Sequence, residues 1–186
     1  ALGLLMIDNV IEDSSTPPDT VSPVVTVTGD NPATVELGAT YSDAGATSDG
    51  GETVVSSGTV DTSTVGSYTI TYTATDAAGN VGTATRTVNV VDTIAPVVTL
   101  IGAATVTVEL GDTYTELGAI ANDATGTLTV VTTGTVDTDT IGSYIVTYTS
   151  IDASGNVGII SRTVNVVDTT APVVTVTGDN PATVEL

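Results

Sequence analysis

Apolar and polar residues alternate with a period of two along most of this 186-residue chain. The clearest run is YTITYTAT, where Tyr68, Ile70, Tyr72 and Ala74 share one face and threonines occupy the other. Successive side chains of a β-strand point to opposite faces of its sheet, so this alternation predicts strands with one buried face and one solvent-exposed face. No run follows the 3.6-residue period of an amphipathic helix, and the pattern therefore predicts an all-β chain.

A glycine-containing loop follows this run. The loop DAAGN at 76–80 leads into a second alternating run that ends in TVNV at 87–90, and DASGN at 152–156 repeats the arrangement. Two alternating runs joined by such a loop are typical of a β-hairpin. Asp76 and Asp152 then have two interpretations: turn residues that accept hydrogen bonds from local amides, or ligands of an ion.

The chain contains an internal repeat. The segment PVVTVTGDNPATVEL at 23–37 returns unchanged at 172–186 and in diverged form at 96–110. Six or seven short strands per repeat, with frequent turn signals, predict an antiparallel β-sandwich. We therefore divide the chain into an N-terminal strand and proline-rich linker, two β-sandwich domains and the first strands of a third, incomplete repeat: 1–22, 23–95, 96–171 and 172–186.

Two tyrosines precede buried strand positions. Tyr68 stands two residues before Ile70, and Tyr144 stands two residues before Val146. In an immunoglobulin-like domain this is the position of the tyrosine corner, whose hydroxyl bonds to backbone a few residues upstream. We expect both tyrosines to be structural.

The two arginines occupy alternate strand positions that are predicted to face the core. Arg86 shares the parity of Val88, and Arg162 occupies the matching place in the second repeat. A guanidinium that points inward needs a carboxylate partner or must extend to the sheet edge. We predict a structural ion pair within each domain, with Asp61 and Asp137 as the first candidate partners.

The composition excludes several kinds of function. The chain has 22 acidic residues against two arginines, a formal net charge of −20, and no Cys, His, Lys or Gln. This charge repels nucleic acid and anionic membranes. Without Cys or His the chain lacks a thiol nucleophile and the usual general base near neutral pH, and we expect no enzymatic activity. No segment approaches the roughly twenty apolar residues of a membrane span, so we expect no membrane insertion in this segment.

Several short motifs carry a family resemblance: DTIAPVV at 92–98, VELG at 108–111, GTVDT at 58–62, GSY at 66–68 and YTATDAAGN at 72–80. With these motifs the sequence resembles bacterial immunoglobulin-like surface repeats, and also hyalin-type repeats, over about residues 19–186. The resemblance implies tandem immunoglobulin-like antiparallel β-sandwich domains in an elongated array. It also implies an extracellular or cell-surface location, where such modules serve as stalks, spacers and adhesive tips.

Acids recur at the domain junctions. Asp19, Asp92 and Asp168 each precede a repeat, and Asp76 or Asp152 of the preceding hairpin loop would lie near them. A resemblance to cadherin-like arrays allows a calcium ion that stiffens each junction. The other interpretation is an aspartate that accepts local amide hydrogen bonds before a proline.

The leading functional prediction is a structural segment that acts as an adhesion stalk or spacer, whose partners are neighbouring repeats and a host or surface ligand. An alternative is a self-assembling filament subunit joined to identical subunits by β-strand addition. There the apolar opening ALGLLMI would be donated to one neighbour, and the strands of 172–186 would complete a fold in the next. The strand-exchange candidates are Val173, Val174, Val176, Val184 and Leu186. A second alternative is a carbohydrate- or ice-binding module built on threonine ladders, although sheet twist opposes a flat binding array.

Overall fold

The computed structural model describes residues 17–177. These residues form thirteen β-strands and no helix, which confirms the all-β prediction. The described part of the chain accordingly offers no helical segment able to cross a membrane. The chain divides into two compact units, Ala1–Asp92 and Thr93–Leu186, with a boundary three residues before Pro96.

The first unit is a sandwich of two sheets. Its strands are β1 (Val25–Val27), β2 (Ala33–Glu36), β3 (Ala46–Ser48), β4 (Val55–Ser57), β5 (Gly66–Thr75) and β6 (Val81–Val91). One sheet pairs β1 with β3, and the other has the order β2-β6-β5-β4. Ile70, Tyr72 and Val88 form the buried centre between them, with valines of β1 packed against it.

The second unit repeats this plan with one extra strand. Its strands are β7 (Val97–Leu100), β8 (Thr105–Glu109), β9 (Ala119–Asp123), β10 (Gly126–Leu128), β11 (Val131–Thr133), β12 (Gly142–Ile151) and β13 (Val157–Val167). The sheets have the orders β10-β9-β7 and β11-β12-β13-β8. The step from Pro96 to Pro172 is three residues longer than the step from Pro23 to Pro96, and the extra residues lie in the β9-β10 hairpin. Val98, Ala121, Val146 and Tyr148 form the buried centre.

One strand pair in each unit is parallel, while the other pairs are antiparallel. β2 runs parallel to β6, from Ala33 opposite Val88 to Glu36 opposite Val91. β8 runs parallel to β13 in the same way. An early strand of each unit is therefore hydrogen-bonded along the last strand of that unit.

Two glycines let the start of each unit pack on its long hairpin. Gly82 is an inward residue of β6, and a Cβ atom there would collide with the backbone carbonyl of Pro23. Gly158 has the same relation to Pro96. A residue with a side chain would push the strand and the incoming chain apart. The Pro-Val-Val motif and the glycine of the hairpin thus form one structural feature.

Candidate functional site

Arg86 is the most unusual residue of the first core. It lies on β6 with its side chain only 2% exposed. Its guanidinium donates to the carbonyl oxygen of Thr28, just after β1, and to that of Gly45, just before β3, at 3.2 Å. It also pairs with a carboxylate oxygen of Asp43 at 2.9 Å. One side chain of the last strand therefore joins the ends of two strands in the opposite sheet.

Tyrosines complete the polar cluster around Arg86. The Tyr72 hydroxyl donates to Asp43 at 2.6 Å, and the Tyr41 hydroxyl donates to the same oxygen at 3.3 Å. Arg86 also lies over the Tyr72 ring, with Cζ 5.8 Å from the ring centroid, which adds a cation–π attraction. Burial and the neighbouring Asp43 carboxylate raise the pKa of Tyr72 to about 12. Burial alone would raise the pKa of Asp43, but the bond from Tyr72 and the charge of Arg86 hold it below its usual value.

The second unit builds a similar cluster with a longer acid, which accepts a hydrogen bond from the Tyr114 hydroxyl. Arg162, 1% exposed, donates to the carbonyl oxygens of Ile101 at 2.5 Å and Ala103 at 3.0 Å, both between β7 and β8. It pairs with Glu116, and its Cζ lies 5.9 Å from the ring centroid of Tyr148. Burial and the Glu116 carboxylate raise the pKa of Tyr148 to about 12.

The acids that pair with the arginines differ from the predicted Asp61 and Asp137. Asp61 instead accepts hydrogen bonds from the amide of Ser63 at 3.0 Å and the hydroxyl of Thr64 at 3.0 Å. Asp137 makes the matching turn in the second unit. Both carboxylates are occupied by their own turns, which is a common use of aspartate before Ser and Thr. The repeated pattern Tyr-x-acid, at 41–43 and 114–116, was the sequence signal for the true partners.

Both predicted tyrosine corners have the expected hydrogen bond. The Tyr68 hydroxyl donates to the carbonyl oxygen of Thr64 at 2.8 Å. The Tyr144 hydroxyl donates to the carbonyl oxygen of Thr140 at 2.8 Å. Each tyrosine thereby ties the start of a long strand to the turn before it.

An open groove lies beside the polar cluster of the first unit. It has a volume of about 520 Å³, and its lining includes Tyr41, Asp43, Gly58 and Ile70. Tyr41 and Asp43 are hydrogen-bonded to each other and to Arg86. Because these groups bind one another, the arrangement supports a structural role rather than bond-making chemistry.

The hairpin-loop acids make turn contacts. Asp76 Oδ1 accepts hydrogen bonds from the amides of Ala78 at 2.9 Å and Asn80 at 2.8 Å. Asp152 Oδ1 accepts the matching hydrogen bonds from the amides of Ser154 and Asn156, each at 2.9 Å. These contacts are those expected of turn residues.

The junction acids are placed differently from one another. Asp19 accepts a hydrogen bond from the amide of Val21 at 3.0 Å, and Asp168 accepts one from Thr170 at 3.1 Å. Asp92 is buried at the end of the first unit. Asp19 and Asp168 thus make the local bonds of an aspartate before a proline.

Carboxylates gather at one place in each unit. In the first unit a surface depression of about 240 Å³ has four acids in its lining: Asp19, Asp49, Glu52 and Asp76. In the second unit, carboxylate oxygens of Asp123 and Asp152 lie within 4.8 Å of each other. Carboxylate oxygen is the ligand type that calcium prefers. Calcium at the domain junctions stays a prediction, as the alternative to the local turn bonds of these aspartates.

The strand-exchange candidates lie at the far end of the chain. Val173, Val174 and Val176 are highly exposed and belong to no strand, whereas Val98, which matches Val174 in the previous repeat, is buried. The other two candidates, Val184 and Leu186, lie outside the described residues. Strand exchange also stays a prediction.

The two sandwiches agree with a comparison against protein families. A family model described as bacterial surface protein, Ig-like domain, matches residues 25–90 and 98–166. The chain belongs to this family. Each match begins at the first strand of a unit and ends on its last strand, so the two Ig-like domains are tandem repeats of one module. The family is one of surface structural repeats.

Three solved structures are similar to parts of this chain. A lipoprotein of Bacteroides thetaiotaomicron is 29% identical over 41% of this chain and 40% of its own, with a TM-score of 0.38. A protocadherin gamma B4 extracellular domain is 15% identical over 77% of this chain and 33% of its own, with a TM-score of 0.31. A protocadherin gamma B7 cis-dimer structure is 15% identical over 79% of this chain and 51% of its own, with a TM-score of 0.32. The chain thus spans about half or less of these proteins. No curated protein matches it.

Proposed function

We propose that the chain is a non-enzymatic spacer in an extracellular bacterial surface protein, where its Ig-like domains bear tension and hold an adhesive part away from the cell. The observation that carries this proposal is the parallel pairing of an early strand with the last strand in each unit. Membership in a family of surface Ig-like domains supports the location.

The parallel pairing decides how a pulling force acts on the domain. Force on a surface stalk enters at one end of each domain and leaves at the other. β2 and β6 run in the same direction, so such a force slides one strand along the other. The evenly spaced hydrogen bonds of a parallel ladder then share the load and must break together. An antiparallel terminal pair pulled from one end would open one bond at a time.

The buried arginines reinforce this ladder. Arg86 binds the carbonyl oxygen that follows β1, so the first and last strands of the domain are joined directly as well as through β2. Arg162 binds two carbonyl oxygens in the connection between β7 and β8. Sliding of the last strand past these segments would strip each guanidinium of partners inside the core, and a buried unpaired charge is strongly unfavourable.

Single-molecule force spectroscopy of the full chain tests the proposal. We expect two unfolding events, each lengthening the chain by about 20 nm as one domain extends. Arg86→Met lowers the force of one event and leaves the other unchanged. The matched control is Thr85→Met, on the outward face of the same strand. Unfolding of both domains at negligible force would reject a tension-bearing spacer.

A second candidate is the filament subunit joined by β-strand addition. It is favoured by the high exposure of Val174, whose counterpart at the start of the second unit, Val98, is buried on β7 and paired with β9. Size-exclusion chromatography tests it with Val174→Asp. Oligomers that this substitution abolishes would support strand addition, and a wild-type monomer at all concentrations would reject it.

A further inference from the structure

The outer face of the four-stranded sheet differs between the two units. In the first unit, the outward positions 69, 75 and 83 of β5 and β6 carry threonine. In the second unit the matching residues are Ile145, Ile151 and Ile159, which are 60, 59 and 65% exposed. At three matching outward positions, the first repeat therefore has threonine and the second has exposed isoleucine.

The isoleucines lie among further apolar side chains. Ile151 pairs with Val157 across β12 and β13. In the next row, Thr149 stands between Val131 on one side and Ile159 on the other. We call the four residues Val131, Ile151, Val157 and Ile159 the apolar patch. Ile145 lies on the same face of β12, four residues before Thr149 in the chain.

The strands that carry the apolar patch have no charged residue on their outward face. The outward positions of β11, β12 and β13 are occupied by Val, Ile, Ser, Thr and Asn. At the far end of the sheet, Glu109 of β8 is held by hydrogen bonds to Thr169 and Thr170. The Asp152 carboxylate beside Ile151 is buried and bonded to its own loop. The patch is therefore an uncharged area on a chain of net charge −20.

We propose that the apolar patch is a docking surface for the same patch on a second copy of this chain. Both arginines are buried and the chain has no Lys or His, so the surface of residues 17–177 carries acids and no cationic side chain. Two copies therefore repel each other wherever their acidic loops meet. Contact between two apolar patches avoids that repulsion and buries apolar area. A cationic partner would instead be attracted to the acidic loops.

The available area makes this contact weak. The whole outer face of the sheet, with strands of the lengths of β8 and β11 to β13 spaced about 4.8 Å apart and a rise of about 3.4 Å per residue, presents about 900 Å² counting both copies, and the apolar patch covers only part of it. Specific interfaces usually exceed about 1,200 Å². The pairing is thus a face-to-face packing of two sheets in a transient dimer, which would join neighbouring spacers side by side.

Sedimentation equilibrium of the full chain tests the proposal. We expect a monomer–dimer equilibrium in the range of about 0.01–1 mM. Added sodium chloride should strengthen it, because salt screens the repulsion between copies and leaves the apolar contact intact. The triple variant Ile145→Thr, Ile151→Thr, Ile159→Thr gives the second unit the residues of the first. It should weaken the dimer by about tenfold or more.

Two matched variants complete the test. Thr69→Ile, Thr75→Ile, Thr83→Ile places a second patch on the first unit, and the chain should then form assemblies larger than a dimer. Val173→Thr, Val174→Thr, Val176→Thr removes three other exposed valines and should leave the dimer unchanged. If the variant with all three isoleucines of the second unit replaced by threonine does not fold, the single substitution Ile159→Thr takes its place. It should weaken the dimer about threefold.

Three outcomes would overturn the proposal. The first is a wild-type monomer up to about 1 mM at high salt. The second is an association that is lost when Val173, Val174 and Val176 are replaced by threonine but kept when Ile145, Ile151 and Ile159 are replaced by threonine. Association would then depend on strand exchange. The third is association that salt abolishes, which would indicate a charge-based contact.

Discussion

Arg86 on the last strand of the first unit donates a hydrogen bond to the carbonyl oxygen of Thr28, which follows the first strand. The two residues are 58 positions apart in the chain. The second unit has the same kind of contact between Arg162 and Ile101. In both units an interior cation, in a chain with only two cations, joins the beginning of the domain to its end.

Removing the charge that pairs with Arg86 should destabilise the first unit. Asp43→Asn leaves a nearly buried guanidinium without its counterion, which we expect to lower the free energy of unfolding by about 2–3 kcal/mol. The loss is below that of a fully buried pair because the Asp43 side chain is 26% exposed. Hydrogen–deuterium exchange should show faster exchange in β2 and β6. Asp30→Asn, an exposed charge change in the same unit, is the control, and equal effects of the two substitutions would contradict this role.

The buried tyrosines should make stability fall at high pH. The pKa values of Tyr72 and Tyr148 are raised from 10.0 to about 12, because burial and a nearby carboxylate disfavour the phenolate in the folded state. The stability that they contribute is complete below about pH 10 and is lost as the pH rises through about 12. In a pH titration followed by tyrosinate absorbance, part of the absorbance change should occur only near pH 12, and Tyr72→Phe should reduce that part. Titration of all six tyrosines in one step near pH 10 without unfolding would contradict the environment described.

The paired acids should make stability fall at low pH. The pKa values of Asp43 and Glu116 are lowered from the ordinary 3.8 and 4.5, so the folded state favours their charged forms. Their contribution is complete above those ordinary values and is lost as the pH falls through the lowered ones. Urea unfolding from about pH 6 to about pH 2 should show this decline, and Glu116→Gln should flatten it in the second unit. If the stability of Glu116→Gln falls at low pH as steeply as that of the wild type, other carboxylates cause the decline.

The hairpin-loop acids should act without metal. Asp152 binds two amides of its loop, so Asp152→Ala should lower the melting temperature of the second unit by the same amount in calcium and in a chelator. Asp139→Ala, at an exposed turn position, serves as the control. A loss of stability that is seen only in calcium would instead establish the calcium site predicted at the junction.

Several features of the fold follow from side-chain parity alone. Alternation placed Arg86 and Tyr72 on the inward face, where both are buried. The spacing of Tyr68 from Ile70 predicted the tyrosine corner. These features depend on local geometry that repeats every two residues, so the sequence specifies them directly.

Other features depend on segments that have no periodic pattern. The direction of β2 relative to β6 is set by the path of the loops, and alternation looks the same in parallel and antiparallel strands. Asp43 lies in the irregular segment between β2 and β3, so its approach to Arg86 depends on how that loop folds back over the core. For this reason the sequence alone did not identify Asp43, and the candidate partner Asp61 was wrong.

The central claim is that each domain resists tension through the parallel pairing of an early strand with its last strand. The chain has no cysteine, so introduced cysteines give unique attachment points for pulling. Ser22→Cys with Thr93→Cys loads the ladder of β2 and β6 along its length, whereas Ala39→Cys with Thr93→Cys pulls at one end of that ladder. We predict a clearly higher unfolding force for the first pair. An equal or lower force for the first pair would contradict the account.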